Sequence, residues 1–269
     1  MELVDTHCHI QSAANDAGER HTREIWAKDP ALTGDALVEN AAAAGVKQLI
    51  CVGCDTPDSK LAIDFVKSRE NCWASIGIHP HEAAHVDDAV RAEFAALTHA
   101  PKVVAVGECG LDYYYEHSPR GAQVEALEFQ IELALEAGLP LIFHVRDAFN
   151  DFWPIFDRYE GIRGVLHSYT DNAANLEEAM RRGLYIGVNG IATFAKDPAQ
   201  LNVYKAIPLQ KLLLETDAPF LTPTPYRGTI NEPKRVGAIA EFVAGLRGEN
   251  LEQVAAATTQ NTRELFGLR

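Results

Sequence analysis

The sequence predicts an α/β fold of the (β/α)8 TIM-barrel class, and three observations carry that prediction. Eight short apolar runs alternate along the chain with Ala- and Leu-rich segments of helical periodicity. The units recur at roughly 30 residues, the size of one strand–helix unit. The length of 269 residues also matches one such barrel and leaves room for a large core. A doubly wound open sheet is the competing arrangement, but the chain holds neither GxGxxG nor GxxxxGK[ST], the loops that bind nucleotides in such sheets.

The runs read as strands are residues 2–7, 47–52, 72–78, 103–108, 140–145, 164–168, 183–189 and 211–216. Several are too continuously apolar for a sheet with one wet face, which marks buried parallel strands. Helical patterns cover 35–44, 58–69, 122–137 and 173–182, and two more at 233–246 and 251–266 finish the barrel. Gly45, Gly138 and Gly183 follow helical runs as caps, and Pro140 stops any continuation. Residues 10–34 fit poorly. They form a long polar insert after the first strand, with Asn15, Asp16, Glu19, Arg20, His21 and Arg23 and weak periodicity. Loops of this length in compact domains usually serve function or lack order. Nothing marks a domain boundary or repeat, so residues 1–269 read as one domain.

Lys and Arg total 24 against 38 Asp and Glu, a formal charge of -14. That balance argues against a protein that coats nucleic acid through a basic surface. It leaves a nucleic-acid substrate open, because bound cations supply positive field locally. The N-terminus shows no targeting pattern, and no apolar run reaches the length of a membrane span. Cys8, Cys51, Cys54, Cys72 and Cys109 are read as free thiols, mostly buried. Cys51 and Cys54 form a lone CxxC without a second pair, a weak metal or redox signal. A reducing cytoplasmic location and a monomer are the expectations.

The chemistry gathers at the strand ends. The first strand ends Asp5-Thr6-His7-Cys8-His9. Side chains at i and i+2 share a face, so His7 and His9 project together, and Asp5 on that face is a candidate to orient them. The third strand leads to His79, the fourth to Glu108, the fifth to His144, the sixth to His167 and the eighth to Asp217. Gly107 and Gly110 flank Glu108 and allow a sharp turn or a close approach. In a barrel these ends converge on one face, where active sites lie. His7, His9, Glu108, His144, His167 and Asp217 are too many for an acid–base pair and suit two divalent metal ions, with positions open to water and substrate. Asp217 is the candidate to orient a water and take its proton. Tyr113, Tyr114 and Tyr115 are candidates to stack bases, or to pack the rim. Asp112 is read as a turn residue bonding to backbone. His81, His85, His99 and His117 are read as solvent-facing, and His21 as near the mouth.

These residues lie in motifs that resemble the TatD family of metal-dependent deoxyribonucleases, within the amidohydrolase-like barrel superfamily. The motifs run nearly end to end: Asp5-Thr6-His7-Cys8-His9, Gly77-Ile78-His79-Pro80-His81, Gly107-Glu108-Cys109-Gly110-Leu111-Asp112-Tyr113-Tyr114, His144-Val145-Arg146-Asp147-Ala148, Leu213-Leu214-Glu215-Thr216-Asp217-Ala218-Pro219, Arg227-Gly228 and Asn231-Glu232-Pro233. The resemblance implies a two-metal phosphodiesterase acting on DNA as a 3′-5′ exonuclease, with Mg²⁺, Mn²⁺ or Zn²⁺. It implies that His7, His9 and Asp217 hold one metal, His144 and His167 the other, and that Glu108 bridges them. His79 would line the site, and Arg146 and Arg227 would contact phosphate, whose geometry guanidinium matches. The chain departs from the usual pattern at Ile10-Gln11, at Ser168-Tyr169-Thr170-Asp171, and in the length of the 10–34 insert, three features expected at the rim. A small-molecule amidohydrolase or lactonase of the same superfamily is the alternative, since one barrel hosts many chemistries.

Overall fold

Val-, Ile- and Leu-rich runs pair side by side into one parallel ring, and helices pack around its outside. The computed structural model describes residues 1–13 and 18–268; Asn15 and Asp16 of the insert lie outside the described residues. The strands are β1 (Leu3–Cys8), β2 (Val46–Val52), β3 (Cys72–Ile76), β4 (Val103–Asp112), β5 (Leu141–Arg146), β6 (Gly164–Leu166), β7 (Tyr185–Val188) and β8 (Leu212–Leu214). They form one sheet in sequence order, each parallel to the next. The helices are α1 (Arg20–Trp26), α2 (Gly34–Ala43), α3 (Thr56–Val66), α4 (Asp88–Leu97), α5 (Arg120–Ala137), α6 (Phe149–Phe156), α7 (Ala173–Arg181), α8 (Pro198–Ala206), α9 (Val236–Arg247) and α10 (Leu251–Phe266). Thr33, Asp55, Asp87, Asn172, Asp197 and Asn250 cap six of them, each side chain accepting from a first-turn N–H. This is the (β/α)8 barrel the sequence predicts.

The ring closes where Cys8 bridges Ala218. His9 N–H donates to Ala218 O and Asp217 N–H to His7 O, both at 2.8 Å. Asp5 supplies the seam. Its buried carboxyl meets the Thr216 N–H at 2.8 Å and the Thr216 hydroxyl at 2.5 Å, and accepts from the His7 N–H at 3.3 Å. Burial pushes the Asp5 carboxyl up to about 8. Asp5 therefore locks β1 to the chain after β8 instead of orienting the His7 and His9 rings.

Alternation along the strands sorts the barrel interior into two storeys. Ile142, Val165 and Leu213 join Ile50, Val52, Ala105 and Tyr185 in one apolar cluster with Leu265, Phe266 and Leu268 from the C-terminal end. Two residues further along the same strands stand His144, His167 and Glu215. The lower storey is thus dry and plugged, and the upper storey carries the polar set. A second, larger apolar cluster joins the strands to the surrounding helices.

β4 runs four residues beyond the predicted end, because Cys109 to Asp112 pair with Phe143 to Arg146 of β5. Gly110 makes this possible. Its φ is +150°, and a Cβ there would lie 1.8 Å from His144 O. Gly110→Ala is expected to cost on the order of 3 kcal/mol or more, from backbone strain and overpacking together. Chemical denaturation of the purified variant checks this; a cost below about 1 kcal/mol would mean that β5 shifts freely.

The described residues of the insert hold more structure than its polarity predicts. Ile10–Ser12 is a buried turn of 3-10 helix, and α1 follows, capped by Glu19 accepting from the His21 and Thr22 N–H groups. Trp26 is buried and its Nε1–H donates to His9 O at 3.0 Å. Gln11 does not sit at a rim. It is buried, and its amide donates to Val52 O at 2.8 Å and reaches the Asp58 carboxylate. Tyr169 is likewise buried, its hydroxyl donating to Asn172 O. Among the described residues no helix is long and apolar enough to cross a membrane. The five cysteines are free, four of them buried and Cys54 partly so.

Candidate metal centre

Glu108 is the hub of the upper storey. Its Oε2 lies 3.3 Å from His7 Nε2. Its Oε1 lies 2.8 Å from His144 Nδ1, 3.6 Å from His79 Nε2 and 3.7 Å from His167 Nε2. Burial pushes the carboxyl up, but the imidazoles of His167, His79 and His7 outweigh it and hold Glu108 well below the usual carboxylate range. Asp217 sits on the His7 side, with Oδ1 3.2 Å from His9 Nε2 and 3.7 Å from His7 Nε2. The structure thus brings together all six residues proposed as ligands, with His79 beside them.

Apart from His7, each ring is aimed by what its other nitrogen does. His9 Nδ1 donates to Val52 O at 2.9 Å, which turns Nε2 toward Asp217. His167 Nδ1 lies 3.0 Å from Glu215 Oε1, and its Nε2 faces Glu108. His144 Nε2 meets Asp112 Oδ2 at 3.1 Å, so Nδ1 faces Glu108. His79 is arranged oppositely. Its Nδ1 accepts the His81 N–H at 3.2 Å, which leaves the proton on Nε2. His79 is therefore a donor aimed at the centre, and the other three present ligand nitrogens.

Two carboxylates, Glu215 and Asp112, stand behind these rings, a role the sequence reading gives to neither. Glu215 shares the face of Asp217 by i−2 spacing, a signal present in the sequence. It also accepts the Ser168 N–H at 2.6 Å. Gly187 makes room for it, since a Cβ there would lie 2.4 Å from Glu215 Oε2. Asp112 does bond to backbone as expected, Oδ1 accepting the Tyr114 and Tyr115 N–H groups at 3.0 and 2.9 Å. Its Oδ2 does more, meeting both His144 and His81 at 3.1 Å. His81 is accordingly a partner of Asp112 and not a free surface imidazole. His21 stacks on Phe220, which in turn meets the His9 ring edge-on, so it does lie at the mouth.

The proposed substrate contacts divide. Arg146 is exposed at the end of β5 and lies over the Tyr114 and Tyr115 rings. Arg227 is exposed on the loop after β8, tied to Thr222 O and stacked on Phe194. Tyr113 turns elsewhere. It is half-buried, its hydroxyl donates to Asp151 at 2.9 Å, and Arg120 covers its ring. The turn leaves Tyr114 and Tyr115 outside instead, because Asp112 fixes their amides.

The residues fit divalent cations on an observation internal to the fold. His7 is fully buried, and neither ring nitrogen makes a hydrogen bond among the described residues. A buried polar group without a partner is costly, and a cation on His7 Nε2, flanked by Glu108 and Asp217, supplies one. Burial and the neighbouring His167 also hold His7 below the ordinary imidazole value, so it is neutral and ready to ligate.

In the metal-free chain the other ligand rings carry protons. Burial opposes their charge, but Asp217 raises His9 to about 9, Asp112 and Glu108 raise His144 to about 9, and Glu215 and Glu108 raise His167 to about 10. The sign follows. These raised values stabilise the metal-free fold fully below about 6.5, and that contribution is lost as pH climbs through 9 to 10. A cation has to displace those protons. Loading the chelated protein with Mn²⁺ at pH 7 is therefore expected to release more than one proton per chain, with affinity rising toward pH 9. Calorimetry in buffers of different ionisation heat reads this directly, and a proton-neutral uptake would contradict it.

The family model described as TatD related DNase matches residues 4–267. The chain is 35% identical to the uncharacterised metal-dependent hydrolase YabD of Bacillus subtilis, over 98% of each protein. It is also 35% identical to the 3′-5′ ssDNA/RNA exonuclease TatD of Enterobacter lignolyticus, over 94% of this chain and 98% of that protein. The crystal structure of YjjV, a TatD homologue from Escherichia coli, superposes with a TM-score of 0.87 at 27% identity, covering 99% of this chain and 98% of the other. A family match spanning almost every strand, together with the histidine and carboxylate cluster at the C-terminal mouth, shows that the chain belongs to the TatD family of metal-dependent hydrolases.

Proposed function

We propose that this protein hydrolyses DNA phosphodiesters from a 3′ end. His7, His9 and Asp217 would hold one divalent cation, Mg²⁺, Mn²⁺ or Zn²⁺, His144 and His167 would hold a second, and Glu108 would be shared. The observation that carries the reading is the splay of Glu108, whose Oε2 faces His7 at 3.3 Å and whose Oε1 faces His144 at 2.8 Å. The exonuclease name of a 35% identical relative supports the substrate class. Divalent cations at such a site lower the pKa of water and offset charge that develops on a phosphoryl group.

The chain's own residues do the rest. Asp217 stays ionised, because hydrogen bonding from His9 and the charges of its neighbours outweigh burial, so it accepts the proton of the attacking water. His79, held well below the ordinary imidazole value by burial, keeps its single proton on Nε2 and donates it in a hydrogen bond to a phosphoryl oxygen. Arg146 and Arg227 meet phosphates at the mouth.

The test is a time course on a single-stranded oligonucleotide labelled at its 5′ end, with Mg²⁺ or Mn²⁺ added. A ladder shortening from the 3′ end is the expected result. The net charge of -14 favours a second reading, a small-molecule amidohydrolase or lactonase. An intact oligonucleotide beside turnover of an amide or lactone panel would establish that reading instead.

A further inference from the structure

We propose that Tyr114 and Tyr115, with Arg146 over them, form a stacking surface for the unpaired bases of a single strand. Stacking, more than phosphate pairing, then supplies the affinity. The proposal rests on the nucleic-acid reading above and names how that substrate is held.

Exposure is the first observation. Among the described residues the exposed large apolar side chains are Met1, Tyr114, Tyr115 and Tyr226, with Tyr114 at 59% and Tyr115 at 53%. Aromatic rings that serve only packing are buried, and a fold has no need of two adjacent ones in water. Both stand just past the end of β4, the strand that carries Glu108.

Order is the second observation. Asp112 fixes both amides, so the rings project from a pinned turn and not from a loose loop. The rings meet edge to face at 4.7 Å. The Arg146 guanidinium lies 4.3 Å from the Tyr114 ring and 5.2 Å from the Tyr115 ring. His117 stacks parallel to Tyr115 at 5.8 Å. A rigid π surface beside a fixed cation matches a nucleobase next to its phosphate. Rigidity also lowers the entropy lost on binding.

Charge decides between stacking and phosphate tracking. A chain of net charge -14 repels a polyanion at long range, so Arg146 and Arg227 meet phosphates only at contact and do not steer the strand in. Base–ring contact is short-ranged, uncharged and available to every base. It also selects single strands, because the bases of a duplex already stack on each other.

The experiment uses the whole protein loaded with Mn²⁺. An oligonucleotide carrying 2-aminopurine near a 3′ end blocked by phosphorothioate linkages is titrated by fluorescence. Wild type is compared with the double variant Tyr114→Ser, Tyr115→Ser. Hydrolysis of an oligomer of abasic tetrahydrofuran phosphodiesters, which offers no ring to stack, reports the metal centre. Binding by the variant is expected to weaken on the order of 10- to 100-fold. Base-free hydrolysis stays at the wild-type rate, and wild-type affinity falls only shallowly with salt. Unchanged oligonucleotide binding would overturn the proposal. So would a steep salt dependence, or equal loss of both activities, which would place the tyrosines in support of His144. Tyrosine-dependent binding of an unblocked strand that wild type leaves uncut would sink the nuclease reading alone. No binding by wild type would end both.

Discussion

Glu108→Gln is expected to lose phosphodiester hydrolysis by on the order of 1,000-fold, while its circular dichroism spectrum matches wild type. The substitution preserves volume and one acceptor oxygen, so packing in the upper storey survives. It removes the negative charge that four imidazoles face within 3.7 Å. Under the proposed function two cations would lose the anion between them, and several kcal/mol of transition-state stabilisation would go with it. Metal content by elemental analysis is expected to fall alongside activity. A variant that is fully active, or that keeps both metals at wild-type affinity, would show that Glu108 is not shared between them.

Asp112→Asn has the second large effect, and it acts at a distance from the substrate. The amide oxygen still accepts from Tyr114 and Tyr115, so the turn persists. The NH₂ replaces the oxygen that meets His144 Nε2 at 3.1 Å. Two donors then face each other and the ring swings from its aim at Glu108. Burial raises the Asp112 carboxyl, but hydrogen bonds from His144, His81 and the Tyr115 N–H outweigh it and hold the group ionised. Outer partners of this kind are worth about 10- to 100-fold in metal affinity. Calorimetric titration with Mn²⁺ is expected to show one weakened site and one unchanged, with the melting temperature within a few degrees of wild type. Two sites of wild-type affinity would reduce Asp112 to its role in the turn.

The fold was legible because periodicity reports burial, and in a barrel burial follows strand and helix closely. α10 matches its predicted span of 251–266 because its Asn250 cap and apolar face agree. α1, α4, α6 and α8 were harder to see. α6 does bury Phe149, Phe152, Trp153 and Phe156 at helical spacing, but it spans only eight residues and contains Pro154, which reads as a helix stop. α1 is held by Trp26 reaching His9 O, a tertiary contact that local sequence does not encode. The six proposed ligands were legible because strand ends converge whatever the loops do. Asp112 bonds to the turn backbone as read, but its contact with His144 and the turning of Tyr113 toward Asp151 were not legible, because both appear only when β5 and α6 are in place. Gln11 was taken for a rim residue because its polarity hid a buried network with Asp58.

The seam between β1 and the chain after β8 also governs when the centre comes into being. His9 and Asp217 meet across 208 residues of sequence. The lower storey is filled by Leu265, Phe266 and Leu268, from the last residues of the chain. Contacts this remote in sequence are made late in folding, after the loop between them has closed. A polypeptide still emerging from the ribosome holds His7 and His9 without Asp217, and a barrel without its floor. The candidate ligands of β1 and the carboxylate across the seam therefore form one site only when both ends of the barrel have met.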